Sequence, residues 1–357
     1  MSDSNRRPLT LSIDAMGGDH GPPVTVAGVE IALGRLEGRE VRFQLHGDQA
    51  ALQAELAKHP KLRPVVSVHH TDKVIGGEEK GSHAMRRGKG SSLWNAVEAI
   101  RSGGADAAIS GGNTGALMAI SKLILRMAGG LDRPAIVSSW PTRRGITAML
   151  DVGANISSDA AQLVEFAIMG EAFYSAVHAG PGQRVQVGLM NIGSEEQKGH
   201  DDVREANTIL RSGDIELDYY GFVEGDDIAK GTVEVIVTDG FTGNVALKTG
   251  EGLARFFATE LREAMTSGPL SMAGALLAQG ALKRLRARLE PPGGGPLLGL
   301  NGVVVKAHGG GTASSFADAI KIAADLAASD YAAKAAANME RLARALDAPA
   351  PVSETEQ

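Results

Sequence analysis

Lys198, Asn191 and Ser194 fall together in "NIGSEEQKG" (191–199), where glycines bound a polar loop. One cation beside an amide and a hydroxyl can hold an anion, or the oxyanion that develops at a carbonyl under attack. Glu195, Glu196, His200, Asp201 and Asp202 could instead hold a metal; the two aspartates also stand where acids favour the start of a helix near 202. In "VTDGFTGN" (237–244) Asp239 ends an apolar strand pattern and Asn244 follows, with Lys248 a turn later. Such a carboxylate can orient a lysine or take a proton, and the amide can donate to an oxyanion; an Asx turn opening the next helix would use the same Asp. His308 in "AHGGGTASS" (307–315) suits proton transfer near neutral pH and equally a structural hydrogen bond. Asp14, Asp19 and His20 repeat the pattern in "DAMGGDHGP" (14–22).

These residues need a frame. Strand patterns at 10–15, 41–46, 65–70, 106–110, 135–140, 146–152, 185–192, 216–223, 233–238 and 302–307 alternate with helical periodicity at 94–102, 114–128, 159–178 and 315–345. Alternation of this kind predicts an α/β fold with a mostly parallel sheet. The exception is 135–152, two strands around "PTRRG", expected as a hairpin at a sheet edge or a dimer contact. Glycine clusters follow the strands at 14–22, 110–116, 151–155, 191–199, 238–244 and 307–315. Loops beyond the carboxyl ends of strands are where open α/β sheets bind ligands, so these loops are expected to converge on one anion-binding crevice. The Walker A spacing fails in "GSHAMRRGKG", and neither G-x-G-x-x-G nor G-x-S-x-G occurs. Anion loops without a nucleotide fingerprint suggest that phosphate itself is the ligand.

Composition narrows the chemistry. The chain has 357 residues, 46 of them glycine, with 8 Phe, 4 Tyr and 2 Trp, which suits loops approaching a polar ligand better than stacking on nucleic acid. A formal charge of −6 argues the same way. Zero cysteines remove disulfides, thiolate metal sites and a Cys nucleophile. With no signal-like h-region and no long apolar run, the expectation is a cytoplasmic protein that spans no membrane. The chain reads as one unit over 9–345, with a subdomain boundary near 135–155, and with flexible tails at 1–8 and 348–357. Lys80, Arg86, Arg87 and Lys89 crowd "KGSHAMRRGKGSS" (80–92) without an acid, which fits an acidic or phosphorylated partner. Residues 252–290 read as an amphipathic helical hairpin. Phe256, Phe257, Leu276 and Leu277 mark its apolar face, and Lys283, Arg284, Arg286 and Arg288 its basic end. Such a face can pack on its own domain, on a dimer mate or on an anionic bilayer.

Taken in order, "IDAMGGDHGP", "RRGKGSS", "SGGNTGA", "LDVGAN", "NIGSEEQKG", "GFVEGDDI", "VTDGFTGNVALK" and "AHGGG" resemble the phosphate acyltransferases of bacterial phospholipid synthesis, from about Leu9 to Ala345. That resemblance implies a three-layer α/β/α fold similar to phosphate acetyltransferases and isocitrate-dehydrogenase-like proteins, with a protruding helical hairpin. It implies transfer of a long-chain acyl group from acyl carrier protein to inorganic phosphate without a cofactor or metal. The acyl phosphate would pass to a glycerol-3-phosphate acyltransferase, and the enzyme would be a homodimer lying peripherally on the membrane. Lys198, Asp239, Asn244 and His308 become the expected catalytic residues, and Asp14, Gly17, Gly18, Asn113, Asn191 and Ser194 the substrate-binding ones. Arg86, Arg87 and Lys89 become the expected dock for the acidic carrier. Two rivals are a metal- and NAD-dependent dehydrogenase on the related fold, which the missing dinucleotide fingerprint disfavours, and a membrane-associated scaffold without activity.

Overall fold

The computed structural model describes residues 7–129, 131, 133–213, 215–289 and 293–347. The expected tail at 348–357 lies outside the described residues, as does most of the one at 1–8. The chain opens with β1 (Leu9–Asp14), α1 (Pro22–Arg35), β2 (Val41–Gly47), α2 (Gln49–Leu56) and β3 (Val66–His70). Then come α3 (Gly81–Arg87), α4 (Ser92–Arg101), β4 (Ala107–Ser110) and α5 (Thr114–Leu125). An antiparallel pair, β5 (Ala135–Thr142) and β6 (Gly145–Leu150), precedes α6 (Ala160–Val177), β7 (Gln186–Met190), α7 (Asp201–Arg211) and β8 (Asp218–Val223). After α8 (Gly225–Lys230) and β9 (Val235–Val237) come the two long helices α9 (Gly240–Thr266) and α10 (Pro269–Leu289). The chain closes with β10 (Gly295–Leu298), β11 (Val303–Lys306), α11 (Ala313–Ala328) and α12 (Tyr331–Asp347).

All strands join one sheet in the order β3-β2-β1-β4-β11-β10-β5-β6-β9-β7-β8. Side chains alternate across a strand, and here the alternation separates two cores. Ala107, Ile109 and Val305 face α1, α11 and α6, whereas Ala108 and Val304 face α4 and α5. In the second half Ala148, Leu150 and Val235 join the first core, while Met149 and Ile236 pack with the α9 residues Ala246 and Leu247 on the other face. Helices therefore cover both faces, and α5 and α9 lie on the same one.

Four expectations are corrected. The β5–β6 hairpin is not at an edge: β5 pairs with β10 and β6 with β9, in the middle of the sheet. A strand absent from the sequence reading, β10, sits between β11 and β5; at four residues starting Gly-Pro it carries no recognisable alternation. The helix expected at 315–345 is two. Ser329 leaves α11 with extended backbone, and its Oγ accepts from Tyr331 N at 3.2 Å, capping α12. The helical hairpin begins at Gly240 rather than 252, because the glycine-rich stretch after Asp239 is already helix.

Strand direction governs where the glycine loops go. β10 runs antiparallel to β11 and β5, and β6 antiparallel to β5, so β6, β9, β7 and β8 oppose β1, β4 and β11. On a flat sheet the two sets of loops would leave opposite edges. Sheets twist by roughly 20–25° per strand, and six steps separate β1 from β9. The second set is thereby turned back by roughly 120–150°.

Candidate active site

Register puts three polar residues in one row at the end of the first half-sheet: Asp14 of β1 opposite Ser110 of β4, and Ser110 opposite Lys306 of β11. Asp14 is 2% exposed. Its Oδ2 accepts from Ser110 Oγ at 2.7 Å, and its Oδ1 is buried with no hydrogen-bond partner. Burial pushes the Asp14 carboxyl above its ordinary range, although hydrogen bonds from neighbouring groups oppose this. Lys306 is the residue that the sequence reading missed. Its Nζ donates to Gly111 O at 3.3 Å and to Ala307 O. Burial pulls its pKa down to about 8; the carboxylates of Asp14 and Asp19 resist that fall, and Lys248 adds to it. A lysine ending a run of three valines immediately before "AHGGG" was the available signal, since apolar strands rarely finish on an idle cation.

Three loops close over this row. A Cβ on Gly17 would collide with Asp14 Oδ2 and lie 2.7 Å from Gly112 N, so only glycine lets the β1 and β4 loops meet. Gly18 has φ +94°, and a Cβ there would lie 3.0 Å from Gly309 O. Asp19 N donates to Gly309 O at 2.9 Å, tying the β1 and β11 loops together. Asn113 caps α5, its Oδ1 accepting from Ala116 N at 2.8 Å while its Nδ2 donates to Gly77 O. His308 keeps solvent access. Partial burial still pushes its pKa below the usual histidine range; Glu251 opposes the shift and Lys306 and Lys248 reinforce it. At neutral pH His308 is therefore an uncharged imidazole.

The other expected residues lie at the loops of the second half-sheet. Asn191 is buried and braces its own loop: its Nδ2 donates to Lys198 O at 3.1 Å and its Oδ1 accepts from Ile192 N at 2.9 Å. Ser194 and Lys198 are exposed above it. Among the described residues no hydrogen bond or ion pair joins Lys198 to Asp239, Asn244 or His308. Asp239 caps α9, accepting from Thr242 N at 2.9 Å and Thr242 Oγ1 at 2.8 Å. Asn244 is exposed one turn later, against Gly153. Asp201 and Asp202 occupy the first turn of α7, where their charge suits the helix dipole. Among the described residues no group of three or more His, Asp or Glu is arranged to hold a metal.

Beneath this loop set lies Asp151, fully buried at the end of β6. Its Oδ1 accepts from the backbone N of Ile136, Gly153 and Ala154 at 2.9–3.1 Å, and its Oδ2 from Asn155 N at 2.7 Å and Asn155 Nδ2 at 2.9 Å. Gly240 and Gly243 let the first turn of α9 rest on this loop, since a Cβ on either would collide with Asn155 O or Asp151 O. From there α9 runs to Lys248 and Glu251, which bear on Lys306 and His308. From Gly240 to Lys248 the helix rises only ~12 Å, so α9 links the Asp151 loop to the charges around Lys306 and His308.

Arg86, Arg87 and Lys89 are exposed on and just after α3, which packs against α5. Phe256, Phe257, Leu276 and Leu277 are exposed on α9 and α10, with Leu270 90% and Leu277 91% accessible at the far end of the hairpin. Lys283 and Arg284 are exposed on α10.

A profile described as fatty acid synthesis protein matches residues 9–334. The phosphate acyltransferase of Caulobacter vibrioides is 63% identical over 336 residues, covering 94% of this chain and 92% of the relative. That of Phenylobacterium zucineum is 58% identical, covering 96% and 97%. Among solved structures, a phosphotransacetylase from Streptococcus pyogenes superposes with a TM-score of 0.61 at 16% identity, covering 90% of this chain and 94% of that one. The EutD phosphotransacetylase from Staphylococcus aureus gives 0.58 at 16% identity with the same coverage. At such identity the likeness is one of fold.

Proposed function

We propose a donor and a mechanism for this chain from the premise that it belongs to the fatty acid synthesis protein family, among the phosphate acyltransferases, and so transfers an acyl group to phosphate. The donor is a long-chain acyl-acyl carrier protein, and inorganic phosphate is the nucleophile. The observation that carries this reading is the part-buried Lys306 cation in one row with Ser110 and Asp14, where three glycine loops meet. Phosphate sits there with Lys306 neutralising it. One phosphate oxygen attacks the thioester carbonyl carbon, a C–O bond forms, and the carbonyl oxygen becomes an oxyanion. Lys198 faces this oxyanion from the opposite loop set, with Asn191, Ser194 and Asn244 lining that wall. Asp239 holds the start of α9. When the C–S bond breaks, His308, uncharged at the outset, relays the proton of hydrogen phosphate to the leaving thiolate. Phosphate is already nucleophilic, so the absence of cysteine costs this chemistry nothing.

Incubation with acyl-acyl carrier protein and phosphate, with hydroxylamine trapping the acyl phosphate, tests the donor. Phosphate-dependent hydroxamate is expected; its absence with the acyl carrier substrate would sink this reading. Lys198→Ala tests the oxyanion role. A folded variant should lose about 10²-fold in kcat, in the range of a removed oxyanion donor, and near-normal transfer would remove Lys198 from the mechanism.

The product is an acyl phosphate, to be consumed by a glycerol-3-phosphate acyltransferase, and delivery at a bilayer surface suits so amphipathic a molecule. No described helix is long and apolar enough to cross a membrane. Gly240 and Gly243 are the only buried residues described in α9, and α10 has none, leaving the hairpin's leucines and phenylalanines uncovered. Its exposed apolar end, with Lys283 and Arg284 further along α10, rests on anionic lipid, and the enzyme works as a homodimer. Flotation with anionic vesicles is expected to carry the wild-type chain but not Leu276→Ser/Leu277→Ser. Equal flotation of both, or of neither, would contradict the membrane role.

A further inference from the structure

A groove of about 700 Å³ follows one side of α5. Gly115, Met118, Ala119, Lys122, Leu123 and Arg126 line it at helical spacing, forming a stripe that rises ~16 Å. Its inner end is Gly115, which follows Asn113 and Gly112; Ala154 and Asn155 stand in the wall beside Pro134 and Arg133, with Asn155 Nδ2 donating to Pro134 O at 2.9 Å. The groove thus leads away from the loop beside Lys306, whose Nζ donates to Gly111 O. Its walls change character along the way. Methionines Met85, Met118 and Met127 make most of it apolar, and three cations, Lys122, Arg126 and Arg133, stand at the outer end.

Arg126 is held there by unusual means. It has φ 65° and ψ 172°, a region that side chains other than glycine rarely occupy. Asn301 pins the segment, its N donating to Arg126 O at 3.2 Å and its Nδ2 to Met127 O at 2.8 Å. A strained backbone held in place beside a groove marks a position where side-chain placement matters more than local comfort. The groove is also open along one side, with Leu123 exposed. A bare alkyl chain lying in it would stay partly wet, whereas an arm carrying amides loses nothing to water there.

We propose that this groove holds the 4′-phosphopantetheine arm of the acyl donor, with the thioester at the Gly115 end and the phosphodiester between Arg126 and Arg133, Lys122 alongside. This rests on the acyl-transfer reading above and specifies how its donor is seated. Arginine suits the task because its planar fork matches phosphate oxygens. Arg86 and Arg87 on α3 extend the same basic rim toward the body of an acidic carrier.

The test compares three donors with one acyl chain: acyl carrier protein, coenzyme A and N-acetylcysteamine thioesters. The last has the thiol end of the arm but no phosphate. Arg126→Glu/Arg133→Glu should raise KM about tenfold or more for the two phosphate-bearing donors, leaving kcat and the N-acetylcysteamine reaction unchanged. Met118→Trp, which fills the groove, should raise KM for all three. Unchanged KM for both phosphate-bearing donors in the double variant overturns the proposal. A rise with the carrier protein alone assigns the two arginines to protein contact instead and overturns the phosphodiester site. A shift in acyl-chain preference in Met118→Trp, with KM for the donors unaltered, places the alkyl chain in the groove and overturns it too. If the wild-type chain forms no phosphate-dependent product from any donor, it is the acyl-transfer reading that fails.

Discussion

Lys306→Ala is expected to lower kcat/KM for acyl transfer to phosphate by about 10²–10³-fold while the protein stays folded. The ammonium is the cation built into the row Asp14–Ser110–Lys306, part-buried and held by Gly111 O and Ala307 O. Its pKa of about 8 makes the effect visible in a pH profile. The cation is present below that value and lost above it, so the wild-type rate should fall as pH rises through about 8. The residual rate of Lys306→Ala should lack that limb. The same shift has a cost in stability with a definite sign. An unfolded lysine keeps its proton well above pH 8, so burying the ammonium destabilises the fold below about 8, by roughly 3 kcal/mol. That cost fades as pH rises from about 8 toward the ordinary lysine value. Stability should therefore increase across this window in the wild type and not in Lys306→Met, which should be the more stable protein near neutrality. Chemical denaturation at several pH values reads this directly; equal pH dependence in the two proteins would contradict the burial of the charge.

Asp151→Ala is expected to be the most damaging single change to the fold, costing about 3–5 kcal/mol and lowering Tm by about 5 °C. Five N–H donors converge on its two oxygens, and removing the carboxylate takes that acceptor from all five, including the buried Asn155 N. Asp151→Asn should recover little. It keeps the size but turns one acceptor into a donor that must face either the three backbone amides or Asn155. Calorimetry of the two variants checks this; a loss below about 1 kcal/mol in Asp151→Ala would mean that water satisfies the loop. Because the first turn of α9 rests on this loop through Gly240 and Gly243, activity should fall along with stability.

The strand–helix alternation was legible because buried strands and amphipathic helices write their periods locally. The ten strands read from the sequence all form, and α5 and α6 begin within a residue of where the pattern put them. Long-range pairing is not written that way. Nothing local tells β5–β6 to sit inside the sheet, or a four-residue Gly-Pro strand to join its two halves. The candidate site divides likewise. Asp14, Gly17, Gly18 and His308 could be found because glycine clusters after strands mark loops that meet a ligand. Lys306 carried only the weak local signal of a cation ending a valine strand, since its meaning comes from the β1–β4–β11 register that puts it in one row with Asp14. Asp239 shows the converse: a carboxylate at a strand end has the same signature whether it orients a lysine or, as its bonds to Thr242 establish, caps a helix.

Direct attack by phosphate is the central claim, and thiol release without phosphate tests it most directly. The chain has no cysteine, so a thiol reagent reports only the donor's own thiol, without background from the enzyme. Enzyme mixed with acyl-acyl carrier protein alone should release no thiol. Adding phosphate should then release thiol and form trapped hydroxamate in equal amounts. A burst of thiol matching the enzyme concentration before phosphate is added would reveal an acyl-enzyme, and would contradict the account.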